Sequence, residues 1–468
     1  MAGRHIFATA LVFAAVFDLG LGTPARAGEA APAVSTFVVL GPQGAIARVI
    51  TAAPNCPSLT VDGRRLDMTI RAQPQTIPVR PPRQATAAAK PASFPVLTCE
   101  TVVPKGVRMA RIGGISLPLP PARIRKIAVI GDTGCRTPIQ ACNAADRFPF
   151  ARIAASIAAW KPDLVLHVGD YHYREAPCRP ESVGCLGSAW GYGFDAWNAD
   201  FFEPAAPLLR AAPWVLVRGN HESCSRAGQG WWRFLDPHPM LPRGDCNDPL
   251  DDQIGDYSSP YAVALSRNWR LIVYDSSNVP AAGDFPPGDP RPARYAADVT
   301  EIQRLAAGAA HNILADHHPM LGVGARPGSE GSVRLYPANV ALQSLFRAAE
   351  PYLAPPSVDL LLSGHIHLWE AVGFSTPHPA QIIVGMSGTE EDIVPLPVIP
   401  DMAPAPGAEV ETMSSWIAGF GFMTLESTGR ESWRLQVHDA GGKVVNTCRL
   451  KAKRLRCALR RVGQSPGA

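Results

Sequence analysis

The stretch DLVLHVGDYHYRE, residues 163–175, decides the fold: an apolar run ends in a glycine, and ligand-type side chains follow at once. An almost unbroken apolar segment of this length reads as a buried strand. Four other places share its grammar of apolar strand, glycine or short turn, and ligand-type side chains. They are GDTG (131–134) after IRKIAVI, GNHE (219–222) after WVLV, DHHP (316–319) after NILA, and GHIH (364–367) after VDLLLS. In an open α/β sheet, ligands bind at the carboxyl ends of the strands. Five such ends meet in one crevice if their strands are neighbours. Alone, each is weak, because an Asp after a strand is commonly a cap or turn residue. Together they are specific.

The donors are carboxylates, an amide oxygen and imidazoles, with no thiolate. That set suits a mixed N/O site for iron, zinc or manganese. Two such ions can share a bridging carboxylate and clamp a phosphoryl group during in-line displacement.

Outward from these blocks, strand patterns alternate with helical ones such as FPFARIAASIAAW (148–160), which predicts a layered α/β domain over 121–430. Residues 28–120 hold short apolar runs cut by proline and glycine, with a proline-rich insertion at 77–95, and read as an antiparallel β domain plus linker. The pattern returns to β over 431–468, where RLKAKRLRCALRR (449–461) is read as a charged edge strand rather than an anionic-surface contact.

The chain has 468 residues, 46% hydrophobic and 18% charged, as ordinary globular proteins do. A net charge of +4 is too small to imply a nucleic-acid partner. Arg4 and His5, an apolar run from Ile6 to about Leu21, and ARA ending at Ala27 have the order of a secretory signal, so cleavage after Ala27 is expected. No later stretch is apolar enough to cross a membrane. All ten cysteines follow the signal, and an even count in an exported chain suggests disulfides. Neighbour spacing suggests Cys56–Cys99, Cys135–Cys142, Cys178–Cys185, Cys224–Cys246 and Cys448–Cys457, although sequence alone leaves connectivity open.

Over residues 124–425 the five blocks resemble the calcineurin-like metallophosphoesterase superfamily, and most closely its purple acid phosphatases. Many members begin with D-x-H; here Gly134 stands at the histidine position. The D-x-G form with a later G-D-x-x-Y is the purple acid phosphatase pattern, and Tyr173 supplies that tyrosine. The resemblance implies a four-layer αββα sandwich, with an N-terminal domain that is fibronectin-like in some members. It implies that Asp132, Asp170, Tyr173 and His367 hold a first metal, with Asp170 bridging to a second held by Asn220, His317 and His365. His317 is preferred to His318 because the family's ligand histidine stands two places before a proline, here Pro319. Leu314, where the family has valine, is a departure. The metals implied are Fe with Zn, Mn or Fe. His221 and Asn220 would contact the phosphoryl group, and Glu222 would orient His221. Glu370 matches a plant-type glutamate, but Ala371 replaces the arginine that follows there.

The expected activity is periplasmic or secreted hydrolysis of small phosphomonoesters by in-line attack of a metal-bound hydroxide. A phosphodiesterase or nucleotide hydrolase with the same site is the alternative, and a non-catalytic surface-binding protein a third reading. His172 is open between a substrate-side donor and a supporting role. The loops 174–193 and 322–332 are expected to carry specificity. Sequence does not decide oligomeric state.

Overall fold

Side chains of KIAVI (Lys126–Ile130) are sorted between two cores. In the computed structural model, which describes residues 33–80, 89–329, 332–390 and 402–458, Ile127 and Val129 pack with Leu271, Ile313, Leu360 and Ile382 of a facing sheet. Ala128 and Ile130 point the other way, onto Phe150, Ile153 and Leu208 of the covering helices. The facing sheet sorts its residues likewise. Leu314, Leu361 and Ile383 turn outward onto Val299, Ile302 and Phe346. Period-two alternation on both sheets thus yields helix, sheet, sheet, helix. The expected signal segment 1–27, residues 81–88 of the insertion and the tail beyond 458 lie outside the described residues.

The first sheet has eleven strands. At its centre Lys126–Ile130, Leu164–His167 and Trp214–Leu216 run parallel, with Ile127 opposite Leu164 and Val165 opposite Trp214. Helical segments Phe150–Trp160 and Phe194–Leu209 make the crossovers that parallel neighbours require. The N-terminal β domain continues this sheet: Ala33–Gly41 joins in parallel at Val39 opposite Trp214, then Gly44–Thr51 and Leu97–Val102 follow antiparallel. On the far side Gly421–Ser427, Ser432–Asp439, Val444–Lys451 and Arg454–Cys457 extend it antiparallel. Arg454 and Arg456 are exposed on that last strand while Leu455 is buried, so charge lines the edge.

The second sheet has seven strands, of which Trp269–Val273, His311–Ala315, Val358–Ser363 and Ala380–Val384 are parallel. A separate hairpin, Val323–Pro327 with Val333–Pro337, stands off from it. Disulfides join Cys56–Cys99, Cys135–Cys142, Cys178–Cys185, Cys224–Cys246 and Cys448–Cys457. No described helix is long and apolar enough to cross a membrane.

Candidate metal centre

Three central strands of the first sheet and two of the second end beside the same crevice, and each delivers one polar block. Three of the turns are strained to do so. Asp132 and Asp170 have φ of 54° and 59°, a left-handed conformation that a non-glycine residue adopts at a cost. His365 is similar at 70°.

Asp132, Asp170, Tyr173 and His367 come together on one side. The buried Tyr173 hydroxyl lies 2.8 Å from Asp170 Oδ2 and 3.0 Å from Asp132 Oδ1, sharing its one proton between them, and His367 Nε2 lies 3.0 Å from it. On the other side Asn220 Oδ1 sits 3.0 Å from His317 Nε2 and 2.9 Å from His365 Nδ1. His317 Nε2 is also 3.2 Å from Asp170 Oδ2, so that carboxylate stands between the groups. The Nδ1–H of His317 donates to the Val168 carbonyl at 2.9 Å, which aims Nε2 at the crevice. Donor atoms of Asp170, His317 and His365 all lie within 4.8 Å of one another.

This donor set fits two cations on an observation of charge. Burial works against ionised Asp170, yet His317 and His221 hold it well below the usual carboxylate range. Burial also opposes a charged His317, but Asp170 raises it to about 10. A proton on His317 therefore occupies the place that cationic charge demands. Burial, then Asp170 and Asp132, push the Tyr173 phenol well up. Only a strong cation would draw its proton off.

Gly134 explains why these two blocks depart together from D-x-H. A Cβ there would meet Tyr173 N at 2.7 Å, Tyr171 O at 2.8 Å and Asp200 Oδ2 at 3.0 Å. The loop that brings Tyr173 in occupies the room a histidine side chain would need. Asp200 secures that loop, accepting from Tyr173 N at 2.8 Å, Cys135 N at 3.0 Å and Arg174 Nε at 2.6 Å.

His221 lies over the centre. Its backbone N–H donates to Asp170 Oδ1 at 2.9 Å, and its ring is 3.9 Å from that of Tyr173. Glu222 does not turn toward this ring. Its oxygens accept from the backbone N–H of Asp170, Tyr171, His172 and Gly219, which ties the 169–173 turn to the 219–222 turn. The carboxylate facing His221 is Glu175, 3.3 Å from Nδ1 and paired with Arg226 through two bonds of 2.6 and 2.7 Å. Arg226 Nη2 is 2.7 Å from the same Nδ1. Sequence reading missed Arg226 and Arg136, the latter 2.9 Å from His367 Nδ1. Neither follows a strand end, so no pattern marked them.

His172 is fully buried beside Tyr192 and Trp197, close to the Gly191 backbone, and is not among the described residues that line the crevice. Tyr171 packs on His167 and donates to Val217 O at 2.9 Å. His318 packs behind the donors, its ring 4.3 Å from that of His365 and its Nδ1 3.4 Å from Ser276 Oγ. Glu370 is buried beneath the hairpin, accepting from Val323 N at 2.9 Å.

The crevice opens into a cavity of about 610 Å³ lined by Asp170, Tyr173, Asn220, His221, His365 and His367 among others. In overall fold the chain is similar to purple acid phosphatase PPD1 from yellow lupin (Lupinus luteus) seeds, at TM-score 0.53 and 13% identity over 90% of this chain and 74% of that one. It is equally similar to PhoD, at TM-score 0.52 and 12% identity, covering 94% of both chains. A search of the curated proteins by sequence finds no match. The model of calcineurin-like phosphoesterases matches residues 125–368, a span that holds all the converging side chains, and the chain belongs to that family.

Proposed function

We propose that the protein is an exported phosphatase that hydrolyses small phosphomonoesters at a dinuclear metal centre. Family membership makes it a metal-dependent phosphoester hydrolase; the finer reading rests on the convergence of donors around Asp170. Asp132, Asp170, Tyr173 and His367 would hold one ion, and Asp170, Asn220, His317 and His365 the other. Iron at the tyrosine side, with zinc, manganese or a second iron beside it, agrees with the phenol donor and with a purple acid phosphatase as fold neighbour. Such a pair, when bound, activates water and neutralises charge on the phosphoryl oxygens.

The rest falls to side chains. The His221 side chain is 15% exposed at the cavity floor, so it can reach a phosphoryl or leaving-group oxygen. There it donates a proton as charge develops. Glu175 and Arg226 fix its ring, and Glu222 fixes the two turns that set the spacing between His221 and Asp170. Export, with a signal ending at Ala27, is supported by the pairing of every cysteine, a habit of oxidising compartments.

The test compares wild type with Asp170→Asn on phenyl phosphate and diphenyl phosphate, with metal content and a visible spectrum on the same samples. Expected are two metal equivalents including iron, a visible absorption band, monoester turnover above diester, and a loss of at least about a hundredfold in the variant. Undiminished turnover by the variant would refute the proposal. Diester preference would favour a phosphodiesterase, no turnover a binding protein, and a colourless zinc or manganese protein would remove the ferric assignment.

A further inference from the structure

The hairpin Val323–Pro327 and Val333–Pro337 carries a charge arrangement that hydrolysis of a simple monoester does not use. Arg326 stands directly opposite Arg334 in the antiparallel register, so both side chains rise from the same face. Like charges placed so are destabilising unless something between them is negative. Neither arginine has an ion-pair partner among the described residues, and both are exposed. The opposite face is committed elsewhere, since Val323 and Ala325 are buried in the outer core of the second sheet.

Both arginines line the metal-centre cavity, together with Arg136 and Tyr336, and among the described residues lining it the only carboxylate is that of Asp170. The guanidinium of Arg326 is also pre-oriented. The Tyr336 ring lies across Gly324, where a Cβ would come within 2.0 Å of it, and Arg326 stacks on that ring at 4.8 Å. A cation held flat against an aromatic face keeps its planar N–H fork for a second partner. Two solvated arginines on an exposed hairpin need no ligand. A cross-strand pair facing a cavity whose described lining holds one carboxylate, one member stacked in place, does call for one.

We propose that Arg326 and Arg334 form a second anion site, so that the preferred substrate is a phosphomonoester whose leaving group carries another phosphate or a carboxylate. The proposal rests on the phosphatase reading above and deepens it. The first negative group goes to the metal centre, and the second is gripped from the hairpin.

The experiment uses the full metal-loaded chain. Butyl phosphate is compared with α,ω-alkane bisphosphates of graded spacer length and with ω-carboxyalkyl phosphates. At the best spacer, kcat/KM should exceed that for butyl phosphate by about tenfold, beyond the factor of two from two equivalent ends, and the gain should appear in KM. The bisphosphate and carboxylate arms show which second anion is preferred. Arg326→Gln with Arg334→Gln should bring the ratio near the statistical value, and the double lysine variant should keep part of it. Calorimetry with alkane bisphosphonates against butylphosphonate supplies the same ratio without turnover. Raising ionic strength should shrink the wild-type ratio even if the variants misfold. A wild type that does not discriminate, a ratio indifferent to salt, or one unchanged in the glutamine variant would overturn the proposal. If wild type fails to turn over butyl phosphate, the phosphatase reading falls, and the calorimetric ratio still decides the anion site.

Discussion

At Gly134 a missing side chain does as much as any ligand. The atoms a Cβ would strike are mostly backbone, Tyr173 N and Tyr171 O, which cannot swing aside. Gly134→Ala should therefore lower stability by roughly 1–3 kcal/mol and push the Tyr173 loop outward. Thermal unfolding reads the first effect. Loss of metal from the Tyr173 side, measured on the purified variant, reads the second. Glu222 and Glu175 make an instructive contrast, because both stand near His221 and only one faces it. Glu222→Gln puts an amide NH2 among four backbone donors, so it should destabilise the fold and cut metal content together. Glu175→Gln should leave metal content intact and reduce kcat by roughly tenfold, with KM little changed, because it frees the His221 ring. Equal effects of the two substitutions would refute this division.

Among the elements, Trp369–Phe374 carries an unusual burden at Glu370. Burial raises this carboxyl to about 8 from an ordinary 4.5, and one backbone bond from Val323 only partly offsets it. Its Oε2 has no hydrogen-bond partner among the described residues. A folded-state pKa raised in this way gives a stability that is full below about pH 4.5 and declines as pH rises to about 8, where it levels. Glu370→Gln keeps the bond to Val323 and removes the titration. Its stability should exceed that of wild type by a few kcal/mol at alkaline pH and converge with it in acid, read by denaturant midpoints across pH. A parallel decline in both proteins would refute the assignment. Glu370 also marks how far the strand grammar carries. The central strands were legible because strands buried on both faces are apolar throughout, and their ends because a glycine or a short turn and then a donor follow each one. The side-on contacts were not legible. Glu222 reaches four backbone groups, Arg226 reaches a histidine five residues back, and Arg326 meets Arg334 through a pairing register. Each depends on a three-dimensional path that no local pattern encodes.

For the whole molecule the same limit applies to the N-terminal β domain, whose short antiparallel runs give no hint that Val39 will pair with Trp214. The pairing is anchored by two arginines from that domain. The side chains of Arg48 and Arg71 are fully buried; Arg48 donates to the carbonyls of Phe234 and Asp236, and Arg71 to those of Trp232 and His238. Glu100 lies between them, 3.1 Å from Arg48 Nε and 2.9 Å from Arg71 Nη1. Burial and then Arg71 pull the Arg48 guanidinium down to about 10, against the opposing pull of Glu100. Burial works to raise Glu100, but Arg48 and Arg71 hold it below its ordinary value, so its contribution is present above that value and lost as acid protonates it. Glu100→Gln removes the carboxylate with which both confined cations pair, leaving Asp236 as their nearby counter-charge, and should cost roughly 3–5 kcal/mol at neutral pH. Glu301→Gln, which breaks a solvent-exposed pair with Arg304, should change stability far less. Because Val39–Trp214 makes one sheet of the N-terminal and central strands, the Glu100 variant should shift a single unfolding transition seen alike by tryptophan fluorescence and by metal release. A separate early transition that leaves the metal centre intact would show instead that the N-terminal strands unfold on their own.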